Sequence, residues 1–347
     1  MRDIWDDMLR WLDRGQDFAV ARVVETWGSS PRAVGAAMLV GADMEVVGSV
    51  SGGCIEGAVV EEALGVLDSG EAKEFSYGIA DEKAWSVGLS CGGEVEVLVE
   101  RHWALTANEE SGEVWSALAS AVAADRPVML FTRLNRGSSA PLLVYPEGEV
   151  VGDWGELGER AVSAAREAYA ERRSGVVELG RERVFIQVLA RRDKLIVVGA
   201  GHIAVHLVPF AQALDFAVTV VDPRQVFVRA VRFPSAPDEL VASWPRQALE
   251  QRELDDDTYA VLLTHDPKID DEALAVLLSE ESEVRYIGAL GSRKTHARRV
   301  ERLRGEGFSE EAIGQIKGPV GMDIGAKSPA EIALSIMAEV VAVRRER

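Results

Sequence analysis

The chain has 347 residues, 47% of them hydrophobic, which is enough to bury cores in two or three domains and too many for a disordered chain. Asp and Glu outnumber Lys and Arg by 57 to 38, for a net charge of −19, so neither nucleic acid nor an anionic membrane surface is the expected partner. Two cysteines, Cys54 and Cys91, cannot form a disulfide scaffold in so long a chain.

The first residues, Met1–Asp7, are acidic and amphipathic, unlike a signal peptide. No run approaches the 18 apolar residues that a membrane-spanning helix needs, and a cytoplasmic protein is expected. Ile4, Trp5, Met8, Leu9 and Leu12 recur at helical spacing and predict a helix over 3–14. Phe18–Thr26 reads as a strand, followed by the turn-rich loop Trp27–Arg32. Ala36–Val40 and Glu45–Val50 predict a hairpin.

The segment Ser49–Gly57 precedes a helical pattern over Ile55–Leu67. Cys54 therefore falls at or beside a helix N-terminus, where unpaired amides and the helix dipole favour a thiolate. Gly52 and Gly53 before it let a ligand approach the backbone. The opposing reading makes Cys54 a small core residue beside a tight turn. Strands are expected at 72–79 and 94–101. The loop between them repeats the arrangement, with Cys91 beside Gly92 and Gly93. Two cysteines 37 residues apart, without spaced histidines, do not predict zinc. Helices over Glu109–Ala124 and Leu157–Arg172, and strands over Pro127–Leu134, Val176–Glu178 and Val184–Leu189, complete a first domain ending near residue 190. The run Arg191–Lys194 breaks the apolar pattern and reads as a linker or solvated edge.

Leu195–Val198 is a short apolar strand of the buried parallel kind. The glycine turn Gly199-Ala200-Gly201-His202-Ile203-Ala204, a helical pattern to about Leu214, and the strand Ala217–Val221 follow in order. Asp222 closes the unit 23 residues after Gly199, near the usual spacing of about 20 for a dinucleotide fingerprint. The fold expected for 191–347 is a Rossmann-like, doubly wound parallel sheet, with Asp222 placed to accept from a ribose. Further strands are predicted at Glu239–Ala242, Tyr259–Thr264 and Arg285–Leu290. Ligands collect at the carboxyl ends of such strands, which singles out His265 and Asp266, although Asp266 also suits a helix cap. Gly291, Ser292 and Arg293 form a turn at a helix N-terminus that reads as an anion cradle, with Arg298, Arg299, Arg302 and Arg304 extending a basic face. Ser328-Pro329-Ala330-Glu331 opens the last helix.

Seven stretches together resemble the XdhC/CoxI family, the accessory proteins of molybdenum hydroxylases such as xanthine dehydrogenase. They are Thr26–Arg32, Ser51–Gly57, Ser90–Gly93, Gly199–Ala204, Leu263–Pro267, Tyr286–Thr295 and Gly318–Ala326. The resemblance implies a mixed α+β XdhC/CoxI domain over 1–190, followed by the Rossmann-like domain. It also implies a cofactor chaperone more than a catalyst. Such a protein binds molybdenum cofactor, as molybdopterin or its dinucleotide form, protects it during sulfuration by a cysteine desulfurase, and delivers it to an apo molybdenum hydroxylase. A homodimer is expected. Cys54 is then the first candidate to contact molybdenum, with Glu56 orienting its loop and Cys91 as second candidate. Gly52, Gly53, Gly199, Gly201, His202, Asp222, His265, Asp266, Gly291, Ser292 and Arg293 are the candidate cofactor-binding residues. The rival is a nicotinamide-dependent oxidoreductase that uses the Rossmann turn for NAD. It lacks a Ser-x-x-x-Lys or Tyr-x-x-x-Lys acid–base pair after the fourth strand. A third reading is an interaction scaffold with an empty Rossmann pocket.

Overall fold

The computed structural model describes residues 1–30, 32–78, 93–105, 109–134 and 140–346. They fall into two compact units, Met1–Arg191 and Arg192–Arg347.

The first unit begins with α1 (Trp5–Asp13), β1 (Phe18–Trp27), β2 (Ala37–Gly41), β3 (Val46–Gly48), α2 (Glu56–Ser69), β4 (Lys73–Tyr77) and β5 (Glu94–Arg101). These five strands form an antiparallel sheet in the order β3-β2-β1-β5-β4. β1 is its centre and is buried on both faces. Ala19, Ala21 and Val23 pack with Val59, Ala63 and Val66 of α2, while Phe18 and Val20 turn toward Met8 and Trp11 of α1. Alternation along a strand produces this division.

The unit continues with α3 (Glu109–Ala123), β6 (Val128–Arg133), β7 (Leu142–Val144), β8 (Val150–Val151), α4 (Glu156–Ala170), β9 (Gly175–Leu179) and β10 (Glu182–Leu189). A second antiparallel sheet results, in the order β8-β7-β6-β10-β9. Arg22 of β1 is buried between the sheets, paired with Glu100 of β5 and donating to Thr132 of β6 at 3.0 Å.

The second unit contains β11 (Lys194–Val198), α5 (His202–Ala213), β12 (Ala217–Val221), β13 (Glu239–Val241), α6 (Pro245–Leu249), β14 (Thr258–Leu262), α7 (Pro267–Leu277), β15 (Tyr286–Ala289), α8 (Arg293–Gly305), α9 (Glu310–Gly314), β16 (Ile316–Lys317) and α10 (Pro329–Arg345). Its six strands are parallel and ordered β13-β12-β11-β14-β15-β16. This is the doubly wound dinucleotide-fold order, with its switch point between β11 and β14. Leu195 and Val197 face α5 and α10, while Ile196 and Val198 face α7 and α8. Both faces are covered, as a parallel sheet requires.

The Arg191–Lys194 run is not a solvated linker throughout. Lys194 opens β11 and bonds Asp255 at 2.8 Å, and Asp193 is buried against Arg344. Among the described residues, no helix is long and apolar enough to cross a membrane.

Candidate functional site

In the first unit, the Thr26–Arg32 and Ser51–Gly57 motifs are tied together, and Gly93 packs against the first of them. Arg32 donates from Nε to the Ser49 carbonyl at 3.1 Å and is clamped by Asp3 at 2.7 Å. A side chain at Gly93 would collide with the Ser29 carbonyl and lie 2.9 Å from the Trp27 carbonyl, so only glycine permits that approach. Cys54, half-buried against the α2 core, lies just before Ile55, the N-cap of α2.

Glu56, the first residue of α2, organises this loop. Its carboxylate accepts from the Ser49 hydroxyl at 2.6 Å, from the Ser51 hydroxyl, and from the Ser51, Gly52 and Gly53 amides at 2.9, 3.0 and 2.8 Å. Ser51 Oγ in turn accepts the Cys54 and Ile55 amides, both at 3.0 Å. Burial pushes the Glu56 carboxyl up, but the Ser49 and Ser51 donors outweigh it and hold the group at about 2. Glu56 therefore orients the loop. The same geometry corrects the expectation of unpaired amides around Cys54, because a carboxylate and a hydroxyl already occupy the amides of residues 51–55. Gly52 and Gly53 both have positive φ, and a side chain at Gly53 would meet open space. Cys91 and Gly92 lie outside the described residues. Among the described residues, no group of three or more His, Cys, Asp or Glu side chains could hold a metal ion.

In the second unit, the glycine turn joins β11 to α5 at the switch point. Gly199 has φ +105°, and a Cβ there would lie 2.6 Å from Thr264 Cγ2, beyond the end of β14. Gly199 thus serves the fold. Gly201, the N-cap of α5, differs: its φ is an ordinary −73°, and a Cβ there would meet nothing within 4 Å. Neither backbone conformation nor internal packing demands glycine at 201. His202 is exposed at the first turn of α5 and lies against His206, with ring centroids 5.1 Å apart.

Asp222 is fully buried and already engaged. Oδ1 accepts from the Arg224 amide and Nε, both at 2.9 Å, and Oδ2 from Arg224 Nη2 at 2.7 Å and the Ala200 amide at 2.8 Å. Burial would raise its pKa, but these donors hold it below the ordinary carboxylate range. Its carboxylate thus serves the protein's own backbone and arginine, where the sequence pattern placed a ribose.

Asp266 caps α7, accepting the Lys268 amide at 3.0 Å, and His265 beside it is exposed. Ser292 caps α8, accepting the Thr295 amide at 3.2 Å, while Gly291 supplies φ +139° and Arg293 is exposed. The basic face expected along α8 is largely neutralised. Arg299 is buried against Asp270, Arg302 forms a bidentate pair with Asp271, and Arg304 pairs with Glu310. Arg232 carried no sequence signal, yet its Nη1 donates to the Ala200 carbonyl at 2.7 Å and so braces the glycine turn.

A family model described as the XdhC Rossmann domain matches residues 195–340, and one described as the XdhC and CoxI family matches residues 11–78. The chain is 27% identical over 340 residues to a probable xanthine dehydrogenase subunit from Bacillus subtilis (strain 168), covering 96% of this chain and 95% of that one. It is 27% identical over 334 residues to the molybdenum cofactor insertion chaperone PaoD of Escherichia coli (strain K12), covering 96% of this chain and 85% of the relative. A crystal structure of a xanthine dehydrogenase from Bacillus halodurans matches it with a TM-score of 0.78 and 26% identity, covering 99% of this chain and 96% of the other. Models named for XdhC thus match both parts of the chain, and relatives align along nearly all of it, which bears out its resemblance to the XdhC/CoxI family.

Proposed function

We propose that this protein is a molybdenum-cofactor accessory protein, which holds the cofactor for sulfuration and delivers it to an apo molybdenum hydroxylase. The observation that carries this reading is Gly201. The glycine at the N-terminus of the 12-residue helix α5 leaves open space beside the first helix amides, which a side chain there would intrude on. Helix amides and the dipole there favour a phosphate, which molybdopterin and its dinucleotide form both carry. The Gly291–Arg293 turn, at the N-terminus of α8, is the second candidate phosphate holder. In the first unit, Cys54 supplies a soft sulfur donor of the kind that suits molybdenum. When bound, the cofactor supplies a molybdenum centre with an easily lost sulfido ligand.

The chain's own residues do the rest. Glu56 fixes the Cys54 loop, Arg32 ties that loop to the preceding motif, and Gly201 keeps the helix end accessible. The name of the PaoD relative, a cofactor insertion chaperone, agrees with this assignment. A cysteine desulfurase as sulfur source and a homodimer as working form belong to the same proposal. Metal analysis and mass spectrometry of gently purified protein test it. Molybdenum with a bound pterin is the expected result; a bound nicotinamide dinucleotide without pterin would replace the proposal with the oxidoreductase reading.

A further inference from the structure

The Rossmann crevice carries the dinucleotide fingerprint, yet its β12 side is built differently from a ribose site. In a fingerprint of this kind the acid after the second strand accepts from ribose hydroxyls. A carboxylate offers about four lone-pair sites. Here four donors, three of them from Arg224, already take both oxygens of Asp222.

Arg224 is also held from behind. Its guanidinium lies 4.5 Å from the centroid of the Phe227 ring, and Arg232 approaches the same ring at 5.0 Å. Arg232 bonds both the Phe227 carbonyl, at 2.9 Å, and the Ala200 carbonyl of the glycine turn. The segment after β12 is thereby latched onto the turn. A ribose would have to displace a bidentate arginine–carboxylate pair with neutral hydroxyls, which bring neither the opposite charge nor the matching fork.

We infer that Arg224 is a specificity-determining residue that bars an adenosine ribose, so that the crevice takes a phosphate-bearing ligand without a nucleoside diol beside β12. The inference rests on the reading that the Gly199–Gly201 turn holds a phosphate. Arg224 reserves Asp222 for the protein, and NAD is rejected despite the fingerprint.

Calorimetric titration of the full chain with NAD tests this. Wild-type protein should bind NAD weakly. Arg224→Ala should bind it more tightly by roughly tenfold or more, the scale of a hydrogen bond to a charged group. Arg224→Gln should gain less, and Arg224→Ala combined with Asp222→Asn should lose the gain. Both single variants should stay folded, because Arg224 is exposed and Asp222 keeps the Ala200 amide. Equal NAD affinity in wild type and in Arg224→Ala would overturn the inference, as would a folded Arg224→Gln and Arg224→Ala pair with no gain. Pterin content is measured in the same preparations. Pterin absent with the NAD gain present would remove the cofactor proposal alone; pterin present without the gain would remove the role of Arg224 alone.

Discussion

Glu56 and Ser51 are bound to each other twice: the carboxylate of Glu56 accepts both the amide and the hydroxyl of Ser51. Because Ser51 then accepts the Cys54 and Ile55 amides, one acid governs the whole loop before α2. The Glu56 carboxyl sits at about 2 in the fold, against 4.5 as its ordinary value. A depressed acid contributes stability above its unfolded value, and that contribution is lost as pH falls through the folded one. Wild type should therefore lose about 1–2 kcal/mol between pH 4.5 and pH 2 from this group, after discounting for solvent at a half-buried site. Chemical denaturation of Glu56→Gln across that range should show a shallower slope; an unchanged slope would remove Glu56 as the organiser of the loop.

Gly199 and Gly201 should respond oppositely to substitution. Gly199→Ala meets a positive φ and the Thr264 methyl, and should cost about 1–3 kcal/mol or more in denaturant unfolding. Gly201→Val enters open space and should change stability by no more than about 1 kcal/mol, the scale of an N-cap substitution. It should nevertheless abolish cofactor co-purification. Retained cofactor in Gly201→Val would move the cradle to Gly291–Arg293.

His102 is buried, with Nδ1 accepting the Ala104 amide at 3.2 Å, which requires an unprotonated Nδ1. Burial first, and the Arg22 charge second, push it down to about 3 from 6.5. The stability it contributes is fully present above pH 6.5 and falls away as pH drops toward 3, because the unfolded chain takes up the proton first. His102→Phe should flatten the stability–pH curve over that interval. A curve of unchanged shape would mean that the imidazole charges inside the fold.

Arg22 and Glu100 form an ion pair buried between the two sheets of the first unit. Glu100→Gln leaves the arginine charge uncompensated and should cost about 3–5 kcal/mol. Arg22→Met with Glu100→Leu removes both charges and should recover most of that loss in the same denaturation assay. A double variant as unstable as the single would mean that the pair contributes more than charge balance.

Much of this architecture was legible from apolar pattern and turn residues. Leu195–Val198 and Ala217–Val221 are apolar runs bounded by Gly199 and Asp222, and both strands stand where that pattern places them. β7, β8 and β16 were not legible, since two or three residues beside Pro141, Gly148 or Gly318 are too short to show a period. The α8 arginines looked like a basic face because their partners, Asp270, Asp271 and Glu310, lie on other helices. At the candidate sites, residue types were readable but their allocation was not. In the sequence, Glu56 and the Cys54 thiol both read as acceptors for the loop amides, and spacing alone does not say that the carboxylate holds them. Asp222 likewise reads as a ribose acceptor until Arg224, two residues on past Pro223, is seen folded back onto it.

The most direct test of the central claim is maturation of apo-xanthine dehydrogenase by this protein loaded with molybdenum cofactor, with sulfurated cofactor measured in the product. Wild type should raise the yield well above that of a reaction lacking the protein. Cys54→Ser, which keeps the size and loses the soft donor, should fall back toward that baseline while its thermal unfolding stays unchanged. Cys91→Ser should retain more activity than Cys54→Ser. Wild-type yield from Cys54→Ser with Cys91→Ser inactive would transfer the role to Cys91, and a yield no higher with the wild-type protein than without it would contradict the account.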